Sequence, residues 1–574
     1  MTNALIPTIL TISTIPTMKH PPLSLAVALA AAAASAGTDF EIRVDLDAAP
    51  IRDARASSCF PMIGYAGCFM ESGGNDAFWF GTNAVETSRA MREAGAWFQR
   101  MWGADDWFAR RVPNPDPDKN KRYVQSDPEA AFQFWKANGI KLLFTLEAWG
   151  GERSKKQILE FVKWIVDNGY KDVVAGFELG NESSYSEHYA DLAPIWTEIV
   201  GEILKIWPDA KLGICVAELF ENNPDIPHVR ERMLAEGKIR RDTYFAAADF
   251  NRYTAQFIVG MSNCLDRITH VIYHGYGGET PYSCSYYGFQ RFRNFVEAFP
   301  ELKGKKFWLS EVRLRSDEDN RCQRLFRETL GMAHYALTAI CQPDFDGFNH
   351  HQIYALSGGL YQSNGKQWCI QWRDEGPDYP DYRAPLGRPR LDVGSCGVMY
   401  RILTEGLLEH PLLLAHGTSK ESGTEDGFFT SARFMDQVYA HRRALKEGKS
   451  GRKVPAVEGE VEWVAAATPR RDGVCLLLVN TKPEPQRIRV TVPGRQPAAP
   501  TYRTLTCPER FLDCREVPGD GKPWTQLSWE ETQTGYAGIP MSPYEGLVPA
   551  ADALEIEIAP HTVQTVAFRV RKAK

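Results

Sequence analysis

The sequence predicts an α/β chain: a (β/α)8 TIM barrel followed by a C-terminal antiparallel β-sandwich. Three observations predict it. Eight short stretches rich in apolar, β-branched and aromatic residues recur between residues 61 and 352, at intervals of roughly 30 to 60 residues, with helical periodicity between them. Two of these stretches, the fourth and the seventh, deliver a glutamate at their ends. Beyond Val457 the helical periodicity gives way to short alternating strands, the pattern of a sandwich.

The 574 residues are 44% hydrophobic and 11% aromatic, enough to bury a large core and to form two domains. The net charge of -6 leaves no basic excess of the kind a nucleic-acid partner requires. Met18, Lys19 and His20 lead into an apolar run, Leu23 to Ala36, that ends on Ala34-Ser35-Ala36. Residues 1–36 therefore read as a secretory signal cleaved near Gly37, and the protein is expected to be secreted or periplasmic. A membrane anchor needs about twenty apolar residues, more than this run or any later one supplies, so no membrane partner is expected. The twelve cysteines show no repeated spacing. Cys68, Cys215 and Cys264 sit in apolar contexts and read as buried thiols, whereas Cys507 and Cys514 share a loop-like stretch and are candidates for pairing after export. No zinc-ligand spacing, phosphate-binding loop or Gly-x-Ser-x-Gly elbow is present, so neither a metal nor a cofactor is expected. Nothing in the sequence fixes an oligomeric state.

In chain order, Phe40 to Leu46 alternates as a strand, and residues 37–60 are placed outside the barrel. The barrel spans 61–415. Its first strand is Pro61 to Gly67, followed by a helical Asn83 to Ala94 with Thr82 as cap. The second is Ala96 to Trp102, and the polar, Pro- and Asp-rich loop from Gly103 to Asp127 has the form of a cleft wall. Trp102, Trp107 and Phe108 are candidates there to stack on sugar rings. A helix from Pro128 to Asn138 starts with proline in its first turn and Ser126 or Asp127 as cap. Ile140 to Glu147 is the third strand. Ile158, Phe161, Val162, Ile165 and Val166 then share one face of a helix from Lys155 to Asn168. The fourth strand begins at Val173, and Leu192, Ile195, Trp196, Ile199, Val200, Ile203 and Leu204 repeat at helical spacing after it. Lys211 to Val216 and Ile268 to Tyr273 are the fifth and sixth strands. Helices are expected over Phe289 to Phe299 and Arg321 to Leu337, on either side of the seventh strand at Phe307. The eighth strand is Phe345 to Gln352, and Val393 to Leu408 is the closing helix. A polar connector covers 416–453 and the sandwich 454–574, with strands Glu460 to Ala466, Val474 to Asn480, Gln486 to Val492, Leu554 to Ile558 and Val563 to Val570.

The chemistry is concentrated in two stretches. Val173 to Ser184 reads Val-Val-Ala-Gly-Phe-Glu-Leu-Gly-Asn-Glu-Ser-Ser, an apolar run ending in a polar turn, as a buried parallel strand would. Lys305 to Arg315 reads Lys-Lys-Phe-Trp-Leu-Ser-Glu-Val-Arg-Leu-Arg, a second such strand. Two acids, each ending its own strand, suggest a pair facing each other across a pocket, as glycosidic cleavage requires. These residues resemble the retaining glycoside hydrolases of clan A, among them the arabinofuranosidase-, xylosidase- and heparanase-like families, and the ending Ala559-Pro560-His561-Thr562-Val563 is similar to that of the sandwich on arabinofuranosidase-like barrels. The resemblance implies that Glu182 is the acid/base and Glu311 the nucleophile, and that the strand of residues 40–46 joins the sandwich. It also implies an active-site role for Arg100, and for Tyr276 or His274 a hydrogen bond to the nucleophile.

Asn181 is expected to bind a substrate hydroxyl, and Trp102, Glu147, Trp149 and His350 to line the substrate site. Arg313 opens a run of arginines after Glu311 and suggests a uronic or sulfated glycan, since a guanidinium pairs with such anions through two hydrogen bonds. The function expected is a retaining glycoside hydrolase whose partner is a carbohydrate. Two other readings stay open: a non-catalytic carbohydrate-binding protein on a glycosidase barrel, and a transglycosylase using the same two acids.

Overall fold

The structure is a computed structural model and describes residues 38–67, 85, 88, 92, 95–113, 126–182, 191–216, 257–258, 260–277, 300–314, 326–351, 370–373, 390–393, 395–419, 461–506, 542–543 and 553–572. The signal segment, Cys68, Cys507, Cys514, the expected helix over 289–299 and most of that over 83–94 lie outside them. No helix among the described residues is long and apolar enough to cross a membrane.

Two short strands, β1 (Phe40–Arg43) and β2 (Arg52–Asp53), precede the barrel. The barrel strands are β3 (Ile63–Gly67), β4 (Phe98–Met101), β5 (Lys141–Leu146), β6 (Val174–Leu179), β7 (Leu212–Val216), β8 (His270–Gly277), β9 (Lys306–Leu314) and β10 (Phe345–His351). They close in sequence order, with β10 pairing back onto β3, and every pairing is parallel. The eightfold repeat read from the sequence is thus a TIM barrel. After it, β11 (Ile370–Arg373) and β12 (Arg390–Val393) form an antiparallel pair.

Alternation along each strand sorts the side chains into two environments. On β5, Leu142, Phe144 and Leu146 point outward into the main core beneath the helices, while Leu143 points into the lumen. The lumen holds its own apolar cluster of Cys59, Phe98, Leu143, Ala175, Cys215, Ile272 and Trp308. The Trp308 indole fits there because two facing positions are glycine. A Cβ on Gly176 would lie 2.2 Å from the indole, and one on Gly213 would lie 2.9 Å from it. This plug seals the barrel floor, and the next inward positions above it carry polar side chains.

The described helices on the outside are α1 (Ala104–Ala109), α2 (Pro128–Ala137), α3 (Glu152–Asp167), α4 (Ala193–Ile206), α5 (Phe326–Ile340) and α6 (Ser395–Glu409). In α2 the Asp127 carboxylate accepts from the Ala130 amide at 3.0 Å and Pro128 takes the first turn, so the start signal read from the sequence is the start observed. Helix α3 buries Ile158, Phe161, Val162 and Ile165, and α4 buries Trp196, Ile199, Val200 and Ile203, the apolar stripes their periodicity demands.

The sandwich comprises β13 (Leu412–Thr418), β14 (Val461–Ala467), β15 (Gly473–Asn480), β16 (Gln486–Thr491), β17 (Arg495–Thr506), β18 (Ser542–Pro543), β19 (Ala553–Ile558) and β20 (Thr562–Lys572). One sheet runs β18-β17-β20-β15-β14-β13-β2 and the other β1-β16-β19. The N-terminal strand pairs in parallel with β16, Phe40 opposite Ile488. The sandwich begins at Leu412 rather than at 454. The run Leu412-Leu413-Leu414 directly follows α6 and reads as barrel, yet it lies antiparallel to β14 and also carries β2.

Candidate active site

Above the apolar plug, five strands contribute one inward polar layer: Arg100 from β4, Thr145 from β5, Glu178 from β6, and His274 and Ser310 from β8 and β9, with Cys215 of the plug against His274. All five are buried. Glu178 sits at its centre, fully buried, and both of its oxygens accept. Oε2 takes Arg100 Nε at 2.6 Å and Thr145 Oγ1 at 2.8 Å, and Oε1 takes Ser310 Oγ at 3.2 Å with His274 Nε2 at 3.5 Å.

Glu182 and Glu311 stand over this layer, Glu182 in the turn that follows β6 and Glu311 within β9, ahead of its end at Leu314. The turn that presents Glu182 is held in left-handed backbone: Gly180 has φ 81° and Glu182 itself φ 51°. A non-glycine residue there carries some strain, which is common where a side chain is aimed for function. Arg100 reaches both stretches, donating Nη1 to Glu311 Oε1 and Nη2 to Asn181 Oδ1, each at 2.7 Å. His274 Nδ1 lies 3.0 Å from Glu182 Oε1 and 3.4 Å from Glu311 Oε2. Carboxylate oxygens of Glu182 and Glu311 therefore come within 4.8 Å of each other, with the imidazole between them.

The electrostatics follow from burial opposed by paired charge. Burial alone would lower the Arg100 pKa, but the Glu178 and Glu311 charges outweigh it and hold the guanidinium protonated. Burial would lift the Glu178 carboxyl, yet Arg100 and His274 bring it below the ordinary glutamate range. Burial would likewise strip His274 of its proton, but Glu311 and its other anionic neighbours push it well above the usual histidine range. Glu182, His274 and Glu311 have donor atoms close enough to share an ion. Binding one would require a neutral Nδ1 facing it, whereas the surrounding carboxylates favour imidazolium, so we read the three as an ion-pair cluster.

The sequence-predicted residues divide clearly. Glu182, Glu311, Asn181, Arg100 and His274 meet in this one cluster. Glu147, Trp102 and Trp149 form its flank: Trp102 Nε1 donates to Glu147 Oε1 at 2.7 Å, and the Asn181 amide donates to the same oxygen at 3.2 Å. The Trp149 indole is 42% exposed beside them. Burial pushes the Glu147 carboxyl up to about 7. Its backbone N–H donates to the buried Asp105, whose carboxyl burial also raises well above its ordinary range.

His350 does not face the cleft. It is buried, with Nδ1 3.0 Å from the Tyr400 hydroxyl and its ring edge-on to Tyr65 and Tyr400, so it points outward into the layer beneath α6. Trp107 and Phe108 are core residues and not sugar platforms, for the loop 103–127 contains α1, which buries both, Phe108 against Phe161 and Trp164. The backbone of Tyr276 pairs with that of Arg313 across β8 and β9, but both side chains lie outside the described residues. Glu178 was missed by the sequence reading. Its signal was present, since an acid inside the apolar run Val-Val-Ala-Gly-Phe-Glu-Leu demands a buried counter-charge.

No family model matches the sequence, and no curated protein matches it. Solved structures do. An α-L-arabinofuranosidase from Thermotoga maritima, solved with arabinose, superposes with a TM-score of 0.55 at 11% identity over 92% of this chain and 99% of its own. A family 51 α-L-arabinofuranosidase from Bifidobacterium longum gives 0.54 at 10% identity over 93% and 100%. One from Thermotoga petrophila gives 0.52 at 11% over 92% and 99%. The likeness spans barrel and sandwich together, and at these identities it is a likeness of fold.

Proposed function

We propose that the protein is a retaining glycoside hydrolase in which Glu311 is the nucleophile and Glu182 the acid/base. The observation that carries this is the pair itself: two carboxylates, one from the turn after β6 and one from β9, with oxygens within 4.8 Å across one site. Retaining glycosidases hold their two carboxyl groups about 5–5.5 Å apart, whereas inverting ones need about 6.5–9.5 Å to admit a water. The shared fold with α-L-arabinofuranosidases adds support, since this barrel places its chemistry at the C-terminal ends of the strands.

In this reading Glu311 is ionised, fixed by Arg100, and attacks the anomeric carbon. Glu182 gives its proton to the leaving oxygen, and a glycosyl ester forms on Glu311 as the glycosidic bond breaks. Glu182, now a carboxylate beside His274, takes a proton from the water that attacks the same carbon, and the ester opens with Glu311 leaving as carboxylate. Asn181 directs its Oδ1 to Arg100, so what it offers a sugar hydroxyl is its amide NH2. Trp149 and Glu147 supply an apolar face and a hydroxyl partner at the rim. Arg313 keeps a uronic or sulfated glycan among the substrates to be tried, alongside arabinofuranosides. The segment 18–36 supports export before the enzyme acts, and N-terminal sequencing of the secreted protein should begin near Gly37.

The test is a panel of aryl glycosides and polysaccharides, with products followed by NMR at the anomeric centre. Net retention is expected, with turnover lost on the order of 10³-fold or more in both Glu311→Gln and Glu182→Gln. Inversion would overturn the mechanism. Undiminished carbohydrate binding without turnover in any variant would make the protein a binding module, and products longer than the substrate would make it a transglycosylase.

A further inference from the structure

Glu178 is fully buried beneath Glu182 and Glu311, and it is the hub of the polar layer below them. We propose that Glu178 is a positioning residue: a permanent buried anion that keeps Arg100 and His274 as cations beneath the catalytic pair, so that one glutamate can ionise while the other keeps its proton. This rests on the glycosidase reading and deepens it.

Hydrogen-bond direction carries the argument. Arg100 Nε, which can only donate, lies 2.6 Å from Glu178 Oε2, and the Thr145 and Ser310 hydroxyls are placed to donate to the same carboxylate, so the anion is the form this cage fits best. Because the Ser310 hydroxyl donates to Glu178, its oxygen must accept from His274 Nε2, 3.0 Å away, which places a proton on that nitrogen. The other nitrogen lies 3.0 Å from Glu182 Oε1 and 3.4 Å from Oε2 of Glu311, and an N–H there serves the Glu311 carboxylate whichever way Glu182 holds its proton. The groups facing His274 are Glu178 and Glu182 from the β6 stretch, Ser310 and Glu311 from β9, and Cys215 Sγ from β7 at 3.9 Å from Nε2. Arg100 on β4 is the other cation.

Charge then closes. Glu178 and Glu311 as anions offset Arg100 and His274 as cations, and the cluster is neutral with the proton on Glu182. That is the state in which the first step begins. Without the Glu178 charge the layer carries one positive charge too many, and of its two cations His274 is the one able to shed a proton, since a guanidinium does not.

Two measurements test this. His274 is followed by NMR of its ring nitrogens from acid to alkaline pH in the whole protein, and kcat/KM is measured across the same range. The wild-type imidazole is expected to stay doubly protonated at pH values where an ordinary histidine is neutral. In Glu178→Gln the His274 transition should fall by about one pH unit or more, a tenfold change. The alkaline limb of kcat/KM should move down with it, and Glu178→Asp should restore part of both. A neutral His274 in the wild type at pH 7 overturns the proposal even if no variant folds, as does a Glu178→Gln protein whose His274 and alkaline limb stay where the wild type has them. Failure of the glycosidase reading shows separately, as full turnover in Glu182→Gln and Glu311→Gln, and the His274 titration still reports on Glu178 in that case.

Discussion

The guanidinium Nη1 of Arg100 lies 2.7 Å from Oε1 of Glu311, at the floor of the cleft. The same side chain spans Glu178 and Asn181, a three-way fork that a lysine ammonium on a flexible stem cannot reproduce. Arg100→Lys is therefore expected to lower kcat/KM on the order of 100-fold, mostly through kcat, because Glu311 loses its fixed orientation. Arg100→Ala leaves two buried carboxylates without their cation and should cost about 3–5 kcal/mol in urea unfolding. A lysine variant with unchanged kcat would show that Arg100 is only structural.

Trp308 transmits packing from the barrel floor to the site, since Ser310 and Glu311 follow it on β9. Its indole occupies the space left by Gly176, where an added methyl would lie 2.2 Å from the ring. Gly176→Ala must displace the indole or the strand, and overpacking of this kind costs about 1–3 kcal/mol. Gly139→Ala, with nothing within 4 Å of the added Cβ and φ +64°, strains only its own backbone and serves as a comparison. Gly176→Ala should lose kcat as well as stability, and Gly139→Ala stability alone.

The sequence made the barrel legible because each strand is bounded by helical periodicity, and β3 to β10 fall where the apolar stretches do. Glu182 was legible because it follows an apolar strand directly, and Glu311 because the apolar run of its strand stops there, although β9 itself continues to Leu314. Residues whose role depends on which way a strand side chain faces were harder. His350 lies on a β10 broken by register shifts at Phe345/Gly347 and Phe348/His350, so counting along the strand does not reveal that it turns outward. Glu178 reads as one more residue of an apolar run until Arg100, 78 positions earlier, is brought beside it. The start of the sandwich at Leu412 is a matter of pairing partner, which local pattern does not contain.

Glu147 should make stability depend on pH near neutrality. Its carboxyl is raised from an ordinary 4.5 to about 7, first by burial. Below about pH 4.5 folded and unfolded chains both hold the proton and the contribution is complete; as pH rises through 7 the folded chain gives up a proton the unfolded chain has already lost, and the contribution disappears. The wild type should thus lose on the order of 3 kcal/mol relative to Glu147→Gln between about pH 4 and 8. Thermal unfolding of both proteins across that range measures it. A constant gap would mean that Glu147 titrates as an ordinary surface acid.

Glu462 should give the opposite pH dependence and report on the join between the two domains. It lies on β14, buried, against His334 of α5 and His416 of β13, the latter with Nε2 at 2.7 Å, while Thr338 of α5 donates to it at 2.7 Å. Burial would raise its carboxyl, but His334 and His416 outweigh that and bring it down to about 2. A depressed carboxyl stabilises the fold above its unfolded value, and that stabilisation is lost as pH falls through about 2. Glu462→Gln should therefore cost on the order of 3 kcal/mol at pH 7, with the deficit shrinking below about pH 4 as the wild-type group takes up its proton. Because these contacts tie a barrel helix to the sandwich sheet, calorimetry at pH 7 should also show a broader or more divided transition in the variant than in the wild type. An equal deficit at pH 7 and at about pH 2.5 would mean that the ion pairs contribute nothing and that only the shape of the side chain matters.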